Sequence, residues 1–88
     1  MFEWDAYKAE SNLEKHKIDF LDAIQVFETP HLTARSRHEA EPRFVSIGPM
    51  QDRLITVIWT QRNENRRIIS ARGARRAERR AYREILGP

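Results

Sequence analysis

Lys15 and His16 sit side by side in the first half of this 88-residue chain, and ten arginines, with no lysine, occupy the second half. Those residue types suit binding of a phosphate or carboxylate, and acid–base chemistry at a phosphate is one use of them. An imidazole takes up or gives a proton near neutral pH. A lysine holds an anion as a point charge. An arginine presents a planar fork that matches phosphate or carboxylate with two hydrogen bonds. Cutting a phosphodiester by its own 2′-hydroxyl needs a base for the hydroxyl proton, cations for the charge gathering on phosphorus-bound oxygens, and an acid for the 5′-oxygen. His16, Lys15, Glu39, Arg62, Arg67, Arg72 and Tyr82 supply every type. Each also has a plainer reading. His16 and Lys15 can complement the end of a helix, each arginine can pair with one of the 13 acids, and Tyr82 can simply pack.

Other chemistries have fewer parts here. There is no cysteine, which removes disulfides, zinc–thiolate sites and a thiol nucleophile. It also fits a reducing compartment. His31 and His38 lie in loop sequence without a carboxylate at ligand spacing, so no metal and no cofactor is expected. No apolar run approaches the roughly 20 residues of a membrane span. The opening MFEWDAYKAE carries acids where an export signal carries bases and an apolar stretch, so a cytoplasmic location is expected.

The charge is unevenly placed. The overall +3 combines six bases against nine acids in residues 1–44 with ten bases against four acids in residues 45–88. A basic half of this kind points to a polyanionic or acidic partner.

The elements that must position these residues follow from pattern. Phe2-Glu3-Trp4 alternates like a short strand. Asp5 is an N-cap for a helix over Ala6 to Lys15 that ends near His16-Lys17. Asp19 caps a second helix, whose Phe20, Ala23, Ile24 and Phe27 form one apolar face. Thr29-Pro30 ends it. Residues 31–37 suit an edge strand. Phe44, Val45 and Ile47 form a strand ahead of Gly48-Pro49, which signals a turn or a bulge. Leu54 to Thr60 is nearly all apolar or β-branched and suits a central strand covered on both faces. Asn63-Glu64-Asn65 is a turn, and Arg67 to Ala71 a further strand. After Gly73 comes a helix, Ala74 to Leu86, with a stripe of Ala74, Ala77, Ala81, Tyr82 and Ile85 among arginines. The expectation is one α+β domain over residues 1–88, in the order β-α-α-β-β-β-β-α. It has a small antiparallel sheet, two N-terminal helices and a basic C-terminal helix.

Several stretches together resemble a known family. They are Phe2-x-Trp4-Asp5-x-x-Lys8, Asn12-x-x-Lys15-His16 and Phe20-x-x-Ala23-x-x-Val26-Phe27 in the first half. Arg43-Phe44-x-x-Ile47-Gly48, Thr60-x-Arg62, Arg67-Ile68-Ile69-Ser70-Ala71-Arg72, Glu78 and Tyr82 follow. In this order they resemble the BrnT toxins, the toxin half of a type II toxin–antitoxin pair. The resemblance implies a RelE-like ribonuclease fold, RNA as substrate and a cognate antitoxin as protein partner in a hetero-oligomer. Two places depart from the family pattern. Lys17 stands where a glycine is usual, and Ala40-Glu41-Pro42 replaces a Gly-Glu-Glu. Pro42 lacks a backbone donor, so the strand after it is expected to begin at Arg43 or lie at an edge.

With the resemblance, roles can be assigned as expectations. His16, Lys15, Arg62, Arg72 and Tyr82 form the catalytic set. Arg43, Arg67, Trp59, Arg75 and Arg76 contact RNA. Arg79, Arg80 and Arg83 face the antitoxin. One geometric condition limits the set. Arg67 and Arg72 have opposite strand parity, so they share a face only across a bulge. Trp59 can stack a base or pack in the core, and His38-Glu39 can pair as acid and base or stand in solvent.

Overall fold

The computed structural model describes residues 1–37 and 40–87. Helix α1 (Ala6–His16) starts at Asp5, whose Oδ1 accepts from the Tyr7 and Lys8 amides at 2.9 and 3.1 Å. It ends at Lys17, which takes up the left-handed conformation (φ 60°, ψ 31°) and donates its amide to Leu13 O at 2.9 Å. That exit suits glycine, and a Cβ makes it less favourable. Lys17→Gly should therefore raise stability by about 0.5–1 kcal/mol, read from the urea midpoint. An unchanged or lower midpoint would show that Lys17 makes a compensating contact.

Helix α2 (Phe20–Ala23) is capped by Asp19, which accepts from Leu21 N at 2.9 Å. The chain then tightens into a 3₁₀ turn over Ile24–Glu28. Tightening changes which side chains face inward. In a 3₁₀ turn residues three apart eclipse, so Phe20, Ala23 and Val26 are the buried series. The expected face of Ile24 and Phe27 is only half-buried.

Five strands follow the order β1-β5-β4-β3-β2: β1 (Phe2–Trp4), β2 (Leu32–Ser36), β3 (Arg43–Met50), β4 (Arg53–Arg62) and β5 (Asn65–Gly73). Strands β2 to β5 form the expected antiparallel meander, with β2 at one edge and β4 central. The sheet as a whole is mixed, because β1 joins β5 in parallel. β3 does begin at Arg43, but it does not stop at Gly48-Pro49. It runs on to Met50, and the chain reverses at Gln51-Asp52, with Gln51 at φ 59°. Gly48 is needed for space rather than for a turn. A Cβ there would lie 2.9 Å from Val26 Cγ1 and 3.0 Å from His31 Cβ.

The core lies on one face of the sheet. Ile55, Val57 and Trp59 of β4 and Ile68 and Ala71 of β5 pack there against Ile18, Phe20, Ala23 and Val26. The opposite face carries Thr56, Ile58 and Thr60 of β4. Helix α3 (Arg76–Leu86) covers part of it and lies against β3 and β2. The expected stripe on α3 is only partly packed. Ala74, just before the helix, is buried and Ala81 and Tyr82 are half-buried, whereas Ala77 is exposed and Ile85 is 65% exposed. Glu78 is the reason at the first turn. Its carboxylate, not an alanine, faces the sheet, where it accepts from Thr56 Oγ1 at 3.0 Å.

Candidate functional site

Lys8, Ser11, Asn12, Lys15 and His16 fall at i, i+3, i+4, i+7 and i+8 of α1, one face of the helix. That face meets β5 just beyond the end of β1, and Ile69 and Ser70 complete a groove of about 260 Å³. Asn12 holds the two walls together. Strand β1 stops pairing at Ile68, which leaves Ala71 with an edge N–H and C=O. The Asn12 side chain takes the place of a neighbouring strand. Its Oδ1 accepts from Ala71 N at 3.0 Å and its Nδ2 donates to Ala71 O at 2.9 Å. The same Nδ2 donates to Ile18 O at 3.1 Å, and Ser70 Oγ donates to Oδ1 at 3.3 Å. Asn12 is 7% exposed. Its amide and carbonyl are thus all partnered, as a buried amide requires. The result is a short cleft with two ammonium groups, one imidazole and two hydroxyls. Such a set can hold an anion and move a proton.

A second cluster lies on the sheet face opposite the core. Arg67 pairs with Thr60 and Arg72 with Thr56 across the β4–β5 ladder. The register slips between Ile58 and Trp59, leaving Ile69 as the extra residue. This bulge brings Arg67 and Arg72 onto one face despite their opposite parity. They stay four strand positions apart, about 13 Å at 3.3 Å per residue. Arg67 Nη1 donates to Glu3 Oε2 at 2.7 Å, and Asn65 Nδ2 donates to Glu3 Oε1 at 3.0 Å. Those two hydrogen bonds, Asn65 first, hold the Glu3 carboxyl below its usual range, and the charges of Arg67 and Arg62 add to them. Arg43 of β3 lies on the same face, with Nε 3.7 Å from Glu41 Oε1. Arg43, Arg62 and Arg67 thus gather around Thr60, whose hydroxyl donates to Pro42 O at 2.6 Å.

Arg72 is placed differently. Its Nη1 and Nη2 donate to Glu78 Oε1 and Oε2 at 2.8 and 3.0 Å. Glu78 Oε1 also accepts from Arg75 N at 2.8 Å, closing the first turn of α3. The paired fork of Arg72, then the Arg75 amide and Thr56, pull the Glu78 carboxyl down to about 2, against a desolvation that works the other way. Arg72 therefore docks α3 onto the sheet, and an RNA phosphate reaching it must share its guanidinium with Glu78. A depressed carboxyl stabilises the fold above its unfolded pKa, 4.5, and that contribution is lost as pH falls towards 2. A shift of this size amounts to roughly 3 kcal/mol at most. Urea midpoints should fall between pH 5 and 2.5, and Glu78→Gln should show a flatter slope there. Parallel slopes would mean that other carboxylates carry the acid sensitivity.

The remaining candidates are dispersed. Trp59 is 7% exposed, with Phe44 stacked at 4.7 Å and its Nε1 donating to Ser46 Oγ at 2.8 Å. Arg66 lies at its other side, 5.1 Å from the indole and 4.6 Å from the Phe27 ring. The indole thus sits in the core. Tyr82 is in a different groove from His16. It lies with Arg79 and Arg83 beside the β3–β4 hairpin, and the two grooves share no residue. Arg76, Arg79, Arg80, Arg83 and Glu84 line a further groove along α3, and Arg75 is the helix's N-cap residue. His38 and Glu39 fall outside the described residues. Among the described residues no three His, Asp or Glu side chains converge, and no helix is long and apolar enough to cross a membrane.

In the sequence Lys8 and Ser70 stand only as members of the family stretches, and Arg66 and Arg53 only as members of the basic half. The helical spacing of Lys8 to Lys15 and His16 was the available signal for Lys8. Ser70 had none, because the edge left free by a three-residue β1 is a tertiary fact.

A family model described as "ribonuclease toxin, BrnT, of type II toxin–antitoxin system" matches residues 4–78. No curated protein matches the chain. The matched span contains the α1–β5 groove and the sheet arginines and ends at Glu78. Arg79, Arg80, Tyr82 and Arg83 lie beyond it.

Proposed function

Because the chain belongs to the BrnT family of ribonuclease toxins of type II toxin–antitoxin systems, we propose that it is an endoribonuclease that cuts RNA by 2′-hydroxyl attack and so inhibits translation in the cytoplasm. The observation that carries this reading is the meeting of His16, Lys15, Lys8 and Ser70 in one groove fixed by Asn12. His16 takes the proton from the 2′-hydroxyl. The 2′-oxygen bonds to phosphorus, the bond from phosphorus to the 5′-oxygen breaks, and that oxygen takes up a proton from water. Lys8 and Lys15 offset the charge on the phosphoryl oxygens. No step needs a metal.

Arg43, Arg62 and Arg67 hold the RNA along the open sheet face, where bidentate contact to phosphate suits arginine. Arg72 contributes from the end of the same face, oriented by Glu78. Arg75 and Arg76 extend the track to α3. Arg79, Arg80 and Arg83 belong to the antitoxin side, and Tyr82 sits with them rather than in the catalytic groove.

The test is a labelled RNA incubated with purified protein in EDTA, with and without ribosomes. Fragments ending in a 2′,3′-cyclic phosphate, paired with 5′-hydroxyl fragments, are the expected products. Binding without any fragment under either condition would overturn the enzymatic reading in favour of a non-catalytic basic module. Fragments that form only when a divalent metal is restored would overturn the mechanism alone.

A further inference from the structure

The groove that holds Tyr82 has a composition that phosphate binding does not explain. It runs between the β3–β4 hairpin and α3 and encloses about 620 Å³. Its floor is apolar, from Pro49, Leu54 and Tyr82, and its rim carries Arg53, Arg79 and Arg83 against the single acid Asp52. One rim side chain is anchored by a hydrogen bond, and a second lies against the backbone. Arg79 Nη1 donates to Ala74 O at 2.6 Å. Arg53 lies across Gly73, where a Cβ would stand 2.8 Å from its Nη2. One turn beyond Tyr82, on the same side of the helix, Ile85 and Leu86 are 65% and 40% exposed.

We propose that this groove receives an acidic, amphipathic segment of the antitoxin, with apolar side chains on Leu54, Tyr82, Ile85 and Leu86 and carboxylates on Arg53, Arg79 and Arg83. The identity of the occupant rests on the toxin–antitoxin reading above; the chemistry of the occupant rests on the groove. Charge complementarity favours an acidic occupant, because three guanidinium groups line the groove with one carboxylate, and Glu84 in the adjoining groove offsets only part of that excess. The apolar floor separates a protein from RNA. A nucleic acid backbone would meet the arginines and leave Ile85 and Leu86 in water, whereas an amphipathic segment covers both. Apolar anchors framed by polar groups are the usual anatomy of a peptide-binding groove. The α1–β5 groove shares no residue with this one, so occupation here leaves His16 uncovered by direct contact.

The test uses a fluorescein-labelled glutamate-rich peptide with leucines at helical spacing, a control with glutamine in place of each leucine, and a single-stranded RNA. Anisotropy should give a Kd at least roughly tenfold lower for the leucine peptide than for the control. Arg53→Glu with Arg83→Glu should raise that Kd by roughly tenfold or more, and Arg53→Lys with Arg83→Lys should largely restore it. Hydrogen exchange should slow at residues 49–54 and 79–86 when the peptide binds. Equal affinity for the two peptides, or no effect of the charge reversal, overturns the proposal. RNA that protects the same residues while the leucine peptide does not would assign the groove to nucleic acid instead. RNA cleavage is measured on the same preparations. Loss of cleavage with peptide binding intact counts against the ribonuclease reading alone, and cleavage without peptide binding counts against this groove alone.

Discussion

His16→Ala should lower RNA cleavage by about 10²–10⁴-fold, the usual range for removing a general acid or base. The fold should survive the change. His16 is the last residue of α1, is half-buried, and lies on the groove side rather than in the core. A basic side chain there also complements the negative end of the helix, which is worth about 0.3–1 kcal/mol. The two roles therefore separate by readout. If His16 only completes the helix end, the variant loses a little stability and keeps its rate, and a fall in cleavage of less than about tenfold establishes that outcome. If it moves the proton, the rate collapses while the urea midpoint scarcely changes. Lys8→Ala and Lys15→Ala share the groove but only offset charge, so each should lower the rate less than His16→Ala does.

Asn12→Leu should destabilise the protein by about 3 kcal/mol or more. The substitution keeps the branched, four-heavy-atom outline of the side chain and removes every polar contact. Ala71 N–H, Ala71 C=O and Ile18 C=O then lose their partners in a buried setting. Each group left unsatisfied costs about 1–3 kcal/mol. A domain of this size has a total stability of only about 5–10 kcal/mol, so the loss should be visible as a large fall in the urea midpoint and faster exchange of the Ala71 amide. Asn12→Asp should be no better. It keeps the acceptor for Ala71 N–H but turns a second oxygen towards two carbonyls. A Leu variant within about 0.5 kcal/mol of the parent would mean that water replaces the amide, and that the groove wall is less closed than its hydrogen bonds indicate.

Most elements were legible because their signals are local. Asp5 and Asp19 accept from the free amides of the turns that follow them, and the nearly continuous apolar, β-branched run of β4 marks a central strand. Pro42 and Pro30 mark boundaries through their own rings. Gly48-Pro49 misled because the same two residues signal a turn and a crowded strand. The distinction depends on Val26 and His31, more than fifteen positions away. The face of α2 misled in a similar way. A helical repeat of 3.6 predicts Ile24 on the core side, but the chain tightens to 3.0, and Val26 rather than Ile24 takes the buried place.

The candidate site divides along the same line. His16, Lys15 and the arginine-rich half are visible in composition, and the order of motifs suffices to suggest the family. Which arginines are available is not visible. Arg67 and Arg72 were expected on opposite faces unless a bulge intervened, and the bulge at Ile69 supplies that condition. Glu3 and Glu78, distant in sequence from each other, each occupy one of those arginines.

The sequence by itself determined the residue types, the capped helices, the meander and the segregation of charge, because these follow from local sterics and counting. Only the tertiary structure decided what the charges do. It put His16 and Tyr82 in separate grooves, gave Arg72 to Glu78 as an anchor for α3, and let Asn12 stand in for a missing strand. The physical reason is range. Caps and strand propensities act within a few residues, whereas an ion pair or a satisfied edge amide depends on which segments the sheet brings together.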